Sequence, residues 1–463
     1  MRFLFLVVLG VAGTLPWGAL AASASDGETE IVSDSPWTMF MGGSTHCGAI
    51  LASIADAEPV QEWAVQVGYD HTYYNSQPVA GVGNVYVAIG GYVDVPEFGA
   101  DEYAVLALAV ETGEILWKRT MSAEVTDLAS SIDRYSVFAA CKDGFLYALD
   151  MGTGAVDWKA RVRPSVWSAP IVVDDSLYVG STDDALYCLR LTDGSTVWRT
   201  PLGEWPATSP VVTGSAVYAT TTGGEALRLR REDGAIVWRR ALSGSSIASP
   251  SFSDGILFCG TAEGISAERG RLAALDGLTG ERLWETAVVG EVRATPAVRD
   301  GVVYFSANEI HAVSTADGSD VWTSPIGTRR QSPVVADDSV LVVSPTRGEI
   351  VALDRLSGHL LFSFCPTFFV GDATQVPLFF DYSVVIACAD GYVRCFRLAS
   401  PSITITNFSY TCVPLPRVQT EASAAPPDGT GSRALPRIIL QAILLLAHVL
   451  IFGVAIHWLG RLR

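Results

Sequence analysis

Short apolar runs alternate with polar turns along most of the chain between residues 60 and 400. The runs are four to six residues long and rich in Val, Tyr and Ala, and the turns contain Gly and Asp. No stretch in this region has a convincing helical period. Strands of this length bounded by turn residues are typical of antiparallel sheets, so the pattern predicts an all-β fold.

An eleven-residue pattern recurs seven times at a period of about forty residues, with Gly in its seventh position and an aromatic ring in its last. Residues 148–158 (ALDMGTGAVDW) and residues 274–284 (ALDGLTGERLW) are two examples. Nearly every copy follows an X-Pro pair and an apolar run that contains Tyr or Phe. Each unit therefore contains four predicted strands, and four-stranded units of this period are typical of β-propeller blades.

The ends of the array determine the number of blades. Seven complete units end at Phe362, and an eighth ends at Leu398 without a turn Gly or a final ring. The strand that contains Trp63 has no three strands before it. If that strand completes the eighth unit, the ring closes and no sheet edge stays open. The sequence thus predicts an eight-bladed propeller of four-stranded blades over residues 60–400, with an N-terminal strand that closes the last blade.

The aromatic residues that end the repeats are predicted to be structural docking rings. A blade cannot bury both of its faces alone, so a ring that reaches the neighbouring blade holds the two together. The turn Gly four residues earlier supplies a positive φ, which other residues adopt at a cost. The predicted docking rings are Trp63, Trp117, Trp158, Trp198, Trp238, Trp284, Trp322 and Phe362.

Both ends of the chain carry apolar segments. Arg2, an apolar run and an A-x-A cleavage site predict a signal peptide over residues 1–21, with an uncleaved anchor as the alternative. Residues 438–460 contain no charge and are long enough to cross a bilayer as a transmembrane helix. The alternative for this segment is a cleaved lipid-anchor signal. The sequence thus predicts a single-pass type I membrane protein with residues 461–463 in the cytosol.

This topology places the propeller in the secretory lumen or outside the cell. Residues 22–59 are predicted to be a lead-in segment. Residues 401–437 are predicted to be a flexible stalk, because they are rich in Pro, Ala, Gly and Ser. The sequon that begins at Asn407 predicts glycosylation at that residue.

The charge balance excludes one class of partner. The chain has 31 Lys and Arg residues against 49 Asp and Glu residues, which gives a net charge of −18 with His neutral. Binding of nucleic acid needs a basic face, so no nucleic-acid partner is expected. The content of 49% apolar and 17% charged residues also excludes a disordered protein.

Candidate chemical groups are few. The sequence contains no zinc-binding pattern, nucleophile elbow or P-loop, and no catalytic or metal-binding residue is predicted. Residues 92–102 form an acidic loop, interpreted as solvated, with calcium binding by Asp94, Glu97, Asp101 and Glu102 as the alternative. Four widely spaced His residues are interpreted as single structural or surface residues: His46, His71, His311 and His359.

The eight Cys residues permit disulfides without assigning them. Four lie in strand-like apolar runs, where free buried thiols are common: Cys141, Cys188, Cys259 and Cys388. Cys47 and Cys412 lie outside the repeats and are the better candidates for a bridge. The connectivity stays open.

The eleven-residue pattern, with Ala first, Asp third, Thr-Gly at the sixth and seventh positions and Trp last, resembles the tryptophan-docking motif of the PQQ-repeat propellers. The repeats at residues 148–158 and 274–284 match it in full, whereas several others depart at the third position. Residues 36–40 (PWTMF) and the glycines after them resemble the lead-in of the same family. The resemblance implies the propeller fold over about residues 36–400 and leaves the activity open.

The family implies two kinds of function. Its quinoprotein dehydrogenases bind pyrroloquinoline quinone with a metal ion in the channel, whereas members that resemble BamB serve as binding platforms without a cofactor. This chain has no adjacent Cys pair and no haem-attachment motif, so a non-catalytic platform without a cofactor is the leading hypothesis. Its expected partner is a protein or a small ligand at a propeller face. The alternatives are a dehydrogenase for alcohols or sugars that uses the quinone with calcium, and a sensor ectodomain that acts through a partner helix.

Overall fold

The computed structural model of the 463-residue chain describes residues 45–46, 54, 58–68, 76–90, 103–162, 165–206, 208–263, 268–326, 331–344, 349–364, 377–380, 383–388 and 390–399. The predicted signal peptide, stalk, transmembrane helix and cytosolic tail lie outside these residues, as do Asn407 and the acidic loop at 92–102. Among the residues described, there is no helix with the length and apolar character needed to span a membrane.

The described residues form eight antiparallel sheets of four strands each, which confirms the predicted all-β, eight-bladed propeller. Blade 1 contains β2 (Val79–Gly81), β3 (Asn84–Ile89), β4 (Ala104–Ala109) and β5 (Ile115–Thr120). Blade 2 contains β6 (Val125–Ser131), β7 (Ser136–Cys141), β8 (Phe145–Asp150) and β9 (Val156–Arg161). Blade 3 contains β10 (Ile171–Val173), β11 (Ser176–Ser181), β12 (Ala185–Arg190) and β13 (Thr196–Pro201). Blade 4 contains β14 (Val211–Val212), β15 (Ala216–Thr220), β16 (Glu225–Arg230) and β17 (Ile236–Ala241).

The second half of the ring repeats this arrangement. Blade 5 contains β18 (Ser251–Ser253), β19 (Ile256–Glu263), β20 (Arg269–Asp276) and β21 (Arg282–Val289). Blade 6 contains β22 (Ala297–Arg299), β23 (Val302–Ser306), β24 (Ile310–Ser314) and β25 (Asp320–Ser324). Blade 7 contains β26 (Val334–Val335), β27 (Ser339–Ser344), β28 (Glu349–Asp354) and β29 (Leu360–Phe364). Blade 8 contains β30 (Leu378–Phe380), β31 (Ser383–Ala387), β32 (Tyr392–Ala399) and β1 (Glu58–Gln66).

Burial decreases from the first strand of a blade to the fourth. Most first strands are short and buried, as in β10, whereas the fourth strands, such as β5, are mostly exposed. The first strands therefore face the central channel, and the fourth strands form the outer rim. Between them, the second and third strands contribute most of the apolar core.

Proline limits the length of the first strands. In seven blades a Pro directly precedes the first strand, which has only two or three residues. Because Pro lacks an N–H group, it cannot extend a strand ladder. Blade 2 has Leu128 at this position, and its first strand, β6, extends over seven residues.

The N-terminal strand closes the ring, as the sequence predicts. Strand β1 pairs with β32 in antiparallel register from Glu58 opposite Ala399 to Gln66 opposite Tyr392. An ion pair between Glu62 and Arg397 (Nε to Oε1, 2.5 Å) crosses the same junction. Residues more than 300 positions apart in the chain thus form one sheet, and the eighth blade is complete.

The propeller has two faces that differ in their loops. The face that carries the connections between blades is called the connection face, and there the connections are hydrogen-bonded to the turns between second and third strands. In blade 3, for example, Thr182 N–H donates to Ser165 C=O at 3.0 Å. On the glycine face, the turns between third and fourth strands are bonded to the turns between first and second strands. There Met151 N–H donates to Tyr135 C=O at 3.0 Å.

Candidate functional site

The seven Trp docking rings reach across the blade boundaries. Each indole Nε1–H donates to the first carbonyl of the glycine turn in the next blade, over 2.8–3.1 Å. The pairs are Trp63 with Val110, Trp117 with Met151, Trp158 with Leu191, Trp198 with Arg231, Trp238 with Gly277, Trp284 with Thr315, and Trp322 with Arg355. The Trp63 bond joins blade 8 to blade 1.

A bulge sets the direction of each ring. In blade 2, Ala148 pairs with Trp158 and Leu149 pairs with Val156, so that Asp157 is an extra residue in the fourth strand. The same register shift recurs in the first seven blades. An extra residue bends a strand and turns the neighbouring side chain, which here is the docking ring.

The turn glycine is required by the close approach of the ring. Gly154 has a φ of 67°, and a Cβ atom at this position would lie 2.6 Å from Cε3 of Trp117. Six further pairs share this contact: Gly113 with Trp63, Gly194 with Trp158, Gly234 with Trp198, Gly280 with Trp238, Gly318 with Trp284, and Gly358 with Trp322. The Gly and the Trp that recur in the sequence therefore contact each other, with the Trp from one blade and the Gly from the next.

A buried ring in the second strand supports six of the seven Trp rings, all except Trp63, from within the same blade. The ring centroids lie 5.8–6.1 Å apart in blades 1 to 6, with tilted planes. In blade 1 the Tyr86 hydroxyl donates to the same Met151 carbonyl that Trp117 binds, at 3.1 Å. Tyr218 and Trp238 share the Gly277 carbonyl in the same way.

Phe362 differs from the other docking rings in its surroundings. It stacks on Phe364 with centroids 6.4 Å apart, and Phe364 contacts Phe396 of blade 8 at 5.2 Å. Blade 8 has no turn between its third and fourth strands, because these strands come from opposite ends of the propeller. A Trp at this position would lack the turn that receives the other indoles.

Side chains at the heads of the first strands link neighbouring blades around the channel. Ala169 N–H donates to Ser209 Oγ at 2.9 Å, and Ser209 N–H donates to Ser249 Oγ at 3.0 Å. At the equivalent junction of blades 1 and 2, the Asp127 carboxylate accepts the backbone N–H of Gln77. Burial raises the pKa of Asp127 to about 8, against the lowering effect of its hydrogen bonds. Inside the ring, Asp127 thus has a pKa close to neutral pH.

Part of the predicted lead-in segment lies inside the propeller. On the channel side of blade 5, the N–H of Phe252 in β18 donates to Thr45 C=O at 2.9 Å. The next residue, His46, is completely buried, and its Nδ1 lies 2.9 Å from Pro250 O. Burial lowers the pKa of His46 to about 4. Farther on, Ile54 N–H donates to Asp338 Oδ1 of blade 7 at 2.9 Å.

Two Trp residues outside the repeat pattern lie together on the connection face. Trp167 belongs to the connection before β10 and Trp205 to the connection before β14. Their rings meet edge to face, with centroids 5.6 Å apart, and Trp167 is 48% exposed. Lys142 Nζ lies 4.5 Å from the centroid of a Trp167 ring. Trp205 Nε1 is buried without a hydrogen-bond acceptor in the described part of the chain.

Hydrogen bonds hold both connections to one turn between them. The turn between β11 and β12 binds the first connection through Thr182 and Ser165, and the second through Leu202 N–H to Asp184 C=O at 2.7 Å. Asp184 lies in that turn, Glu204 directly precedes Trp205 in the second connection, and both residues are exposed. We define the aromatic patch as Trp167, Trp205, Lys142, Asp184 and Glu204.

Most of the His and Cys residues named in the sequence analysis are buried where the structure describes them. Among the described residues, no group of three or more His, Cys, Asp or Glu side chains is arranged to hold a metal ion. His311 stacks on Phe305 at 5.1 Å, and burial lowers its pKa. Within the described ranges, the buried cysteines that form no disulfide are Cys141, Cys188, Cys259, Cys388 and Cys395. His71, Cys47 and Cys412 lie outside the described residues.

Comparison with known proteins places this arrangement in a family. The sequence model described as outer membrane protein assembly factor BamB, of the PQQ-repeat type, matches residues 100–184 and 142–364, together more than half of the chain. The chain belongs to this family of PQQ-like propellers. BamB of Yersinia pestis is 26% identical over 148 residues, which are 30% of this chain and 37% of that relative. The match thus spans little more than a third of that relative's length.

Solved PQQ-like propellers have the same fold. BamB from Moraxella catarrhalis aligns with 74% of this chain and 100% of its own, with a TM-score of 0.58 and 16% identity. Quinohemoprotein alcohol dehydrogenase from Comamonas testosteroni aligns with 78% of this chain and 80% of its own, with a TM-score of 0.61 and 12% identity. These two structures carry different functions on one architecture, so the fold alone does not assign one.

Proposed function

We propose that this protein is a membrane-anchored binding platform, whose propeller lies in the secretory lumen or outside the cell and binds a partner without catalysing a reaction. The aromatic patch carries the proposal, because it presents exposed indole surface on connections that backbone hydrogen bonds hold in place. Preformed aromatic surface is where interfaces concentrate binding energy. The BamB relatives are named as assembly factors, which supports a protein as the partner.

The membrane anchor is the part of the proposal drawn from the sequence. A signal peptide over residues 1–21 and a helix over residues 438–460 would give a type I topology, and Asn407 would carry a glycan beside the stalk.

A quinone-dependent dehydrogenase is the second candidate, because two quinohemoprotein alcohol dehydrogenases share the fold. Pyrroloquinoline quinone with calcium would need space in the channel and clustered oxygen ligands. On the channel side of blade 5, however, Phe252 of β18 is hydrogen-bonded to the chain's own Thr45, and Pro250 just before β18 is hydrogen-bonded to His46. In the described ranges, no cluster of three metal-binding side chains is found. The contacts of Thr45 and His46 on the channel side of blade 5 support a platform without a cofactor over the dehydrogenase.

Reconstitution distinguishes the two candidates. The purified full-length protein is incubated with pyrroloquinoline quinone and calcium and assayed for dye-linked oxidation of alcohols and sugars. We expect the same dye reduction with and without these substrates. Substrate-dependent reduction would overturn the platform proposal. Affinity capture from native membranes, with cross-linking before solubilisation, is expected to recover the same protein partner in repeated preparations.

A further inference from the structure

The aromatic patch contains acidic groups without cationic partners. No ion pair reaches Asp184 or Glu204 among the described residues, and the Glu204 carboxylate lies against Gly223. In the same turn as Asp184, Asp183 binds Arg199 through one carboxylate oxygen. Its other oxygen, Oδ1, is buried without a hydrogen-bond partner in the described part of the chain. Two other carboxylates on this face are paired with cations: Glu225 with Arg239, and Glu124 with Lys142. Asp184 and Glu204 therefore carry negative charges that no ion pair in the described part of the chain compensates.

The indole surface of the patch already holds one cation. Lys142 lies over a ring of Trp167 while it also binds Glu124 at 2.6 Å. A cation over an indole face is attracted by the ring quadrupole, and Trp is the best ring for this interaction. Trp167 is still 48% exposed after its contacts with Lys142 and Trp205. Indole surface on the connection that the Asp184 turn holds thus stays open to a second cation.

We infer that the aromatic patch binds a Lys or Arg side chain of an extended segment of the protein partner. The indole surface receives the cation and its aliphatic stem, and the free carboxylates neutralise its charge. The net charge of −18 for the chain acts in the same direction, because it attracts basic partners over a longer range. This inference rests on the proposed function and specifies the chemistry of the partner.

The fixed backbone strengthens the inference. The Trp167 connection pairs with the turn between β11 and β12 through a bridge between Val166 and Ser181. Pro206, next to Trp205, lies so close to Gly180 that a Cβ atom there would come 2.6 Å from the Pro206 carbonyl oxygen. A surface fixed in this way loses little conformational entropy when a ligand binds.

A short cationic peptide tests the inference. Dye-labelled, acetylated hexa-arginine amide is titrated into the purified full-length protein in detergent at 150 mM salt, and its anisotropy is measured. Hexaglutamine of the same design serves as the neutral peptide. We expect Trp167→Ala to weaken hexa-arginine binding about fivefold or more, in line with the strength of cation–π contacts. Trp167→Phe should retain part of the affinity, and Glu204→Gln should weaken binding and reduce its salt dependence.

Two control variants separate the patch from general attraction to an acidic protein. Glu111→Gln removes an exposed carboxylate, and Leu356→Ala removes a side chain that is 76% exposed, both on the glycine face. Each should leave the affinity for hexa-arginine unchanged. If Trp167→Ala weakens binding no more than these controls do, or if hexaglutamine binds equally well, the inference is wrong.

The test can fail independently of the proposed function. A captured protein partner that binds the Trp167→Ala variant as tightly as the natural chain would overturn the inference and leave the platform proposal standing. Dye-linked oxidation after reconstitution would overturn the platform proposal whatever the peptide result. Tight binding of methyl glycosides at the patch, without binding of hexa-arginine, would contradict the cationic chemistry.

Discussion

Trp158 contributes to two blades at once. Its ring packs 5.8 Å from Phe138 in its own blade, and its Nε1–H donates to Leu191 of blade 3 at 2.9 Å. Removal of the ring deletes both contacts and leaves a cavity against Gly194. We expect Trp158→Ala to lower the free energy of unfolding by about 3–5 kcal/mol. Denaturant unfolding of the purified protein measures the change.

Trp167 is the matched control for this prediction. It has the same side chain, but it is 48% exposed and docks no glycine turn. Trp167→Ala should change the free energy of unfolding by less than about 1 kcal/mol. If both variants unfold at the same denaturant concentration as the natural protein, the inter-blade role of the docking rings is wrong.

Asp127 predicts a pH-dependent effect of a single substitution. Burial raises its pKa in the folded protein to about 8, so the folded state binds the proton more tightly than the unfolded state does. The stability that comes from this proton is present below the unfolded pKa near 4 and is lost as the pH rises to 8. Asp127→Asn has no proton to lose and should become progressively more stable than the natural protein over this range.

Paired melting curves at pH 5, 6.5 and 8 measure this difference. Its slope can reach about 1.4 kcal/mol per pH unit at most. The pKa of His46, which burial lowers to about 4, affects both proteins equally and cancels in the comparison. A stability difference that stays constant from pH 5 to pH 8 would show that Asp127 does not hold its proton.

At the scale of the strand and turn, Gly154 tests the close contact between turn and ring. Gly154→Ala must place a Cβ within 2.6 Å of Trp117 at a φ of 67°. Gly83 has the same φ of 67° but has no atom within 4 Å of the added Cβ. Gly83→Ala should therefore cost only about 1–2 kcal/mol, the cost of a left-handed backbone with a Cβ, and Gly154→Ala should cost clearly more. Thermal unfolding of the two variants gives the comparison.

The sequence predicted the elements well and their contacts less well. The Gly and the ring recur in seven of the eight repeats, so their spacing was sufficient to predict four-stranded blades and the glycine turns. The extra residue at Asp157 and the carbonyl that receives Trp158 were not predicted, because they depend on strand register. The position of His46 inside the ring depends on tertiary packing, which no local pattern contains.

The aromatic patch was also missed, although a signal was present. Trp167 and Trp205 are the two Trp residues between positions 60 and 400 that fall outside the forty-residue register of the docking rings. A Trp off the repeat register has no docking role, so exposure on a connection was a reasonable expectation. That the two rings meet could not be predicted, because they lie 38 residues apart, on different connections.

At the scale of the whole molecule, stability depends on the strand that closes the ring. A chain that starts after Gly68 would lack β1, leave β32 as an open edge and lose the bond from Trp63 to Val110. Open edges promote aggregation, so this truncation should aggregate. A chain that starts near Ser35 keeps β1 and should be folded. Size-exclusion chromatography of the two truncated proteins measures the difference.

The fixed connection face, and with it the proposed platform, requires this closed ring. Disulfide cross-linking in the full chain tests the closure most directly. Ala64 lies opposite Arg394 in the register of β1 and β32, so Ala64→Cys with Arg394→Cys places two thiols within bridging distance. Ala64→Cys with Val393→Cys, shifted by one residue, places them on opposite faces of the sheet.

Mass spectrometry of the oxidised, digested protein measures both cross-links. The closed propeller predicts that the 64–394 pair forms a disulfide that joins peptides from the two ends of the propeller, and that the 64–393 pair does not. Absence of the 64–394 cross-link, or equal cross-linking of both pairs, would contradict the eight-bladed ring.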